Sequence, residues 1–233
     1  MKSLKRLHIF ILAVVLSFAL MYFSYLPGVG VLGRILVLFS TLTHELGHGL
    51  MAVLVGGDFD KLVINWDGSG LTSWSGRSGR VARALVAAGG LVGPACAASV
   101  LFWSARGSDR RLIWATRFFG LGLVTAGILT ARSPWALVFT LGLGLALLAL
   151  AGRIGRTQLE SLIVFIGVQL GLSVFTRADY LFTKSAGPGL PSDVSNISSA
   201  LFLPYWFWGI LCGAFSLAVL IWGCTSYIKE DRA

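Results

Sequence analysis

Charge is scarce in this chain. Only 12% of its 233 residues are Asp, Glu, Lys or Arg, where a soluble domain carries about 25%. Together with 56% hydrophobic residues and a mean hydropathy of +0.81, this excludes a water-soluble globule. It leaves no room for a sizeable soluble domain beside the apolar segments. Acid is scarcer than base, with 10 Asp and Glu against 19 Lys and Arg. The basic residues are dispersed over short loops between apolar segments, so they read as bilayer anchors and topology signals, not as a nucleic-acid surface. Cysteine is limited to Cys96, Cys212 and Cys224, each inside an apolar segment. None has a partner at disulfide-framework or zinc-ligand spacing, so all three read as small packing residues. No internal repeat is visible, and few polar groups line the spans, which argues against a transporter.

Histidine is limited to three residues, and two of them share one motif. Thr43-His44-Glu45-Leu46-Gly47-His48 lies within the apolar stretch from Ile35 to Val55. A helix puts residues i and i+4 on one face, so His44 and His48 project side by side and can hold one zinc ion. Glu45 adjoins the first of them, where it can act as general base toward water held by that metal. Ionisable groups at membrane depth are costly, and they mark function.

The apolar pattern gives an all-α polytopic membrane protein of about six to seven transmembrane helices, forming a single domain over residues 1–233. Lys2, Lys5 and Arg6 precede the run Ile9 to Leu26. That run is long for a signal peptide, and no A-x-A-like cleavage site follows. It reads as a retained first helix with a cytoplasmic N-terminus. Pro27 to Gly30 turns the chain into helix two, about Arg34 to Val55. A small β-hairpin follows, from Lys61–Trp66 and Leu71–Trp74 around the turn Asp67-Gly68-Ser69-Gly70. Its two readings are a plain surface hairpin and an edge that captures an extended substrate. Helix three, about Val81 to Ala105, carries Gly89-Gly90-Leu91-Val92-Gly93-Pro94, small residues that let helices approach closely. Scaffold spans follow at about Leu112–Thr130 and Pro134–Ala151; Arg117 faces the bundle or snorkels. Helix six runs about Leu159–Phe182, a polar loop covers residues 183–199, and helix seven runs about Leu201–Ile228. Strict alternation puts ten basic residues inside and eight outside, with Arg106 to Arg111 on the outer side.

Catalytic zinc usually keeps three protein ligands. His8 sits too near the N-terminus to serve. Asp179, at the end of helix six, falls at the depth of His48 if helices alternate. Asp193, in a loop that can fold back, is the second choice.

These residues together resemble the site-2-protease family of intramembrane zinc metalloproteases, in a compact bacterial branch without a PDZ-like insertion. The likeness rests on His44-Glu45-Leu46-Gly47-His48 in a membrane helix, the polar hairpin after it, and the Gly89 to Pro94 segment. Helix six with Asp179, the Ser192-Asp193 loop and the Trp-bearing last helix also fit. The resemblance implies zinc held by His44, His48 and an aspartate from a later helix, with Glu45 activating water. For that aspartate it points to Asp179, although Ala178-Asp179-Tyr180 departs from the family's Leu-Asp-Gly. The implied activity is endopeptidase cleavage of a membrane protein substrate with a transmembrane segment, within or beside the lipid bilayer. The rival reading is a non-catalytic membrane scaffold or helix-binding protein that retains a metal-like motif.

Overall fold

The computed structural model describes residues 2–23, 28–76, 79–176, 181–187 and 189–229. It is mostly helical. In chain order the elements are α1 (Lys2–Tyr22), α2 (Val29–Leu54), β1 (Asp58–Ile64), β2 (Gly70–Ser75), α3 (Arg80–Arg106) and α4 (Asp109–Thr130), then α5 (Pro134–Leu150), α6 (Arg156–Thr176), β3 (Ser185–Gly187), β4 (Leu190–Pro191), α7 (Asp193–Leu201) and α8 (Tyr205–Ile228). Among the described residues, α3, α4, α6 and α8 each contain a stretch long and apolar enough to cross a membrane, and α5 is a shorter apolar helix.

α3 is the hub. It packs against α2, α6, α7 and α8, and its buried face is built largely from Ala, Gly and Ser. Small side chains permit this, because close backbone approach replaces the hydrophobic driving force that lipid does not supply. At the α2–α3 crossing, a Cβ on Gly47 would lie 2.3 Å from the Gly89 carbonyl oxygen, and one on Gly89 would lie 2.5 Å from that of Gly47. Neither position accepts a side chain unless the helices part. α4 and α5 meet the same way through Gly120 and Gly144.

The hairpin after α2 is longer than its apolar alternation predicts. β1 and β2 pair antiparallel from Asp58↔Ser75 to Ile64↔Gly70, with the register shifting between Phe59 and Lys61. Gly68 turns the tip at φ 93°. There the Ser69 amide and hydroxyl donate to Asp67 Oδ1 at 2.9 and 2.7 Å, and these bonds hold the exposed Asp67 carboxyl below its usual range. The outer edge of β1 is covered. Arg132 N–H donates to the Leu62 carbonyl at 2.8 Å, and Ser133 Oγ bridges the amide and carbonyl of Ile64. Both strands pack on α2, and from β2 the Thr72 hydroxyl donates to the Glu45 carbonyl at 2.8 Å.

Two expectations change. The region 183–199 is not a plain loop, because it holds the β3–β4 pair and most of α7. Helix six ends at Thr176, and Leu181 and Phe182 are outside it. The order of the ends also differs from strict alternation. Arg6 donates to the Arg106 carbonyl, and Lys5 Nζ donates to Thr157 Oγ1 at 2.8 Å. The start of α1, the end of α3 and the start of α6 therefore share one end of the bundle. The β1–β2 hairpin packs on residues 131–133, at the far end of α4, about 33 Å away at about 1.5 Å per residue. Arg106 to Arg111 consequently lies on the same side as Lys5 and Arg6. Arg117 reaches the end of α5, where its guanidinium donates to the Ala151 carbonyl.

Candidate metal centre

α2 brings the two histidines together as its periodicity requires. Their rings are perpendicular with centroids 4.7 Å apart, and His48 Nε2 lies 3.2 Å from His44 Nε2. The His48 ring is oriented from behind, since its Nδ1 is 2.7 Å from the carbonyl oxygen of Val86 on α3. With Nδ1–H donating to that carbonyl, the Nε2 lone pair is directed at His44 and is available to a cation. Room for the ring comes from one missing side chain. A Cβ on Gly90 would stand 2.2 Å from His48 Nε2.

The third group is Asp193. Its Oδ2 lies 3.1 Å from His44 Nε2 and 3.4 Å from His48 Nε2. It is the first residue of α7, where a carboxylate suits the positive end of the helix. Ser192 caps that helix by accepting from the Ser195 N–H, and its own amide donates to the Lys184 carbonyl at 3.1 Å. Behind the cap, Val194, Ile197 and Ala200 are buried against Ala84, Ala87 and Leu91 of α3 and Cys212 of α8. Burial acts against the charge on Asp193. Protonated imidazoles beside it, the form without a cation, outweigh that effect and hold the carboxyl below its usual range.

Three donor atoms thus face one another at separations of 3.1, 3.2 and 3.4 Å. Ligand atoms about 2.05 Å from a tetrahedral centre lie about 3.3 Å apart, so the set fits a small cation with imidazole and carboxylate ligands. His44, His48 and Asp193 are the metal-type cluster among the described residues. Asp179 lies outside the described residues. His8 bonds locally to the Leu4 carbonyl on α1, away from the cluster.

Glu45 is buried and lines the same cavity of about 510 Å³ as the three donors. Its side chain occupies space that a residue other than glycine at the start of β2 would take. A Cβ on Gly70 would lie 2.7 Å from Glu45 Oε1. β2 forms one wall of the cavity through Gly70, Leu71, Thr72 and Trp74. Gly70 and Gly90, together with the Val86 carbonyl, are site features that motif spacing does not reveal. The cap sequence Pro191-Ser192-Asp193 is the one local signal that could have singled out Asp193 as the start of a helix.

The apolar helical bundle thus brings two histidines of one helix, an aspartate and a glutamate to a single cavity able to hold a small cation. The chain belongs to the Peptidase M50B-like family, which it matches over residues 9–223, and so to the site-2-protease family. No curated protein and no solved structure matches it.

Proposed function

We propose that this protein is a zinc-dependent intramembrane endopeptidase, with His44, His48 and Asp193 as the metal ligands and Glu45 as the catalytic acid–base. The observation that carries the reading is the convergence of three donors at tetrahedral spacing beside Glu45 in one cavity. Zinc bound there supplies Lewis acidity to water and to a peptide carbonyl. Glu45 takes the proton of the attacking water and returns it to the departing amine. The Val86 carbonyl keeps the His48 Nε2 lone pair aimed inward, and the α7 cap keeps Asp193 in reach of both rings. A substrate helix has its amides locked in its own hydrogen bonds. It must unwind to present a bond, and β2 is the strand along which an extended segment can lie.

The helix ends support six crossings, by α1, α3, α4, α5, α6 and α8, with α2 embedded among them. The end carrying Lys5, Arg6 and Arg106 to Arg111 is the cytoplasmic one by the positive-inside rule, and the cavity lies toward the other.

The deciding experiment is the metal content of the detergent-purified protein beside His44→Ala, Asp193→Asn and Asp179→Asn. One zinc per wild-type chain, lost in the first two variants and kept in the third, is the expected result. Loss in Asp179→Asn with retention in Asp193→Asn would replace the third ligand. Absence of metal from a folded wild type would favour a non-catalytic scaffold.

A further inference from the structure

α7 turns one face to the core and another to the metal cavity. Val194, Ile197 and Ala200 are buried against α3 and α8, whereas Asp193, Asn196 and Ser199 line the cavity of about 510 Å³ that contains the donor cluster. Residues i and i+3 of a helix are neighbours, with Cβ atoms about 5–6 Å apart. Asn196 therefore stands one turn beyond the carboxylate that completes the donor set. On the metallopeptidase reading above, we propose that the Asn196 carboxamide holds the main chain of the substrate about one or two residues from the scissile bond.

The side chain is open for that contact. Asn196 is half-buried, and its carboxamide makes no hydrogen bond among the described residues. Its backbone is fully engaged, since the Asn196 N–H donates to the Ser192 carbonyl at 2.9 Å and its carbonyl accepts from the Ser199 hydroxyl at 2.9 Å. The hydroxyls on the cavity wall already have partners. Ser69 Oγ donates to Asp67, Thr72 Oγ1 to the Glu45 carbonyl, and Ser199 Oγ to Asn196. Asn196 thus offers two N–H donors and an acceptor oxygen on a fixed helix, one turn from the cluster.

The chemistry of an unwound segment calls for such a group. A chain lying along β2 pairs one edge of its backbone with the strand, and its other edge keeps N–H and C=O groups without partners. Away from water, each such group costs about 1–3 kcal/mol. A carboxamide can donate to the carbonyl and accept from the N–H of that second edge. β2 and α7 supply separate parts of the same cavity wall, so a segment bound to both is held from two sides. The contact reads the peptide unit and not its side chain, which suits a protease that selects segments by their ability to unwind.

The test is binding of hydroxamates to the zinc-loaded, full-length protein in detergent, read by the shift in its thermal unfolding midpoint. Acetohydroxamate carries the zinc-binding group alone. Two longer probes add a leucyl-alanyl extension, one on the N-terminal side of that group and one on the C-terminal side. Asn196→Ala should weaken one of the longer probes about tenfold, the effect of one or two neutral hydrogen bonds. Its zinc content and its affinity for acetohydroxamate should stay at wild-type values. Asn196→Leu keeps the size of the side chain and should show the same loss, which keeps the test open if the alanine variant folds poorly. N-methylation of one of the probe's amides should weaken binding to the wild type and have no further effect on Asn196→Leu. Unchanged affinity for both longer probes in both variants would overturn the proposal and leave the peptidase reading standing. A loss shared by acetohydroxamate would mean that Asn196 acts through Asp193, and would also overturn the substrate contact. A folded wild type that takes up no zinc or binds no hydroxamate would overturn the peptidase reading, and this proposal with it.

Discussion

Among the described residues, two helix pairs meet glycine against glycine, and only one of them lies at the candidate metal centre. α4 and α5 meet at Gly120 and Gly144, where added Cβ atoms would lie 2.9 and 2.8 Å from the opposing carbonyl oxygens. The next nearest atoms belong to Leu147 and Leu148 on one side and to Leu123 and Val124 on the other. α2 and α3 meet more tightly at Gly47 and Gly89, and one residue further on, Gly90 faces an imidazole. Close approach by itself is therefore packing, as the glycine-rich pattern alone would suggest. What turns the second crossing into a site is that the approach brings a backbone carbonyl, Val86, to the outer nitrogen of a ligand-type histidine.

The largest break between the two crossings should come from Glu45→Gln. The substitution keeps the shape of the side chain beside Gly70 and removes its base. Cleavage of a membrane-embedded reporter should fall about 10²–10⁴-fold, while zinc content and unfolding midpoint stay at wild-type values. A Glu45→Gln protein that cleaves normally would end the acid–base assignment. Chelation comes next. Removing metal from the wild type should abolish cleavage, and adding zinc back should restore it. The α4–α5 crossing, which gives no group to the donor cluster, should not register the treatment in its hydrogen-exchange protection.

Much of this was legible in the sequence, and the part that was not has a physical reason. His44, Glu45 and His48 are legible because helical spacing alone puts them together. The hairpin is legible because alternation and the Asp67-Gly68 turn are local signals. The depth of Asp193 is not local. It depends on α7 docking against α3 through Val194 and Ile197. A polar loop rich in Ser and Pro hides that short helix, whose only announcement is the Ser192 cap. The arrangement of ends was hidden for a related reason. Counting every apolar run as a crossing assigns one to α2, and so separates Arg106 to Arg111 from Lys5 and Arg6. The contact between Arg6 and the Arg106 carbonyl reunites them.

The comparison can be sharpened with matched methyl groups. Gly90→Ala forces a Cβ into the His48 ring, so zinc affinity should fall about 10–100-fold, as when a group supporting a ligand is lost. Gly144→Ala should cost about 1–3 kcal/mol of stability through overpacking and leave zinc content unchanged. Equal effects of the two variants on zinc would mean that Gly90 acts only through general packing.

The smallest effect should come from Gly122→Ala. Gly122 sits two residues from Gly120 on α4, yet an added Cβ there meets nothing within 4 Å. It borders an apolar groove of about 710 Å³ shared with Gly47 and Gly93. In a helix interior, alanine is favoured over glycine by about 0.5–1 kcal/mol, so stability should hold or rise slightly, and zinc should stay bound. The informative quantity is the cleavage rate. A methyl in an open groove cannot reach the metal donors, so a rate equal to wild type fits a groove that only faces lipid. A slower rate at unchanged stability and zinc content would mean that another helix passes across this face of α4 during turnover. The glycine would then serve a moving contact where Gly120 serves a fixed one.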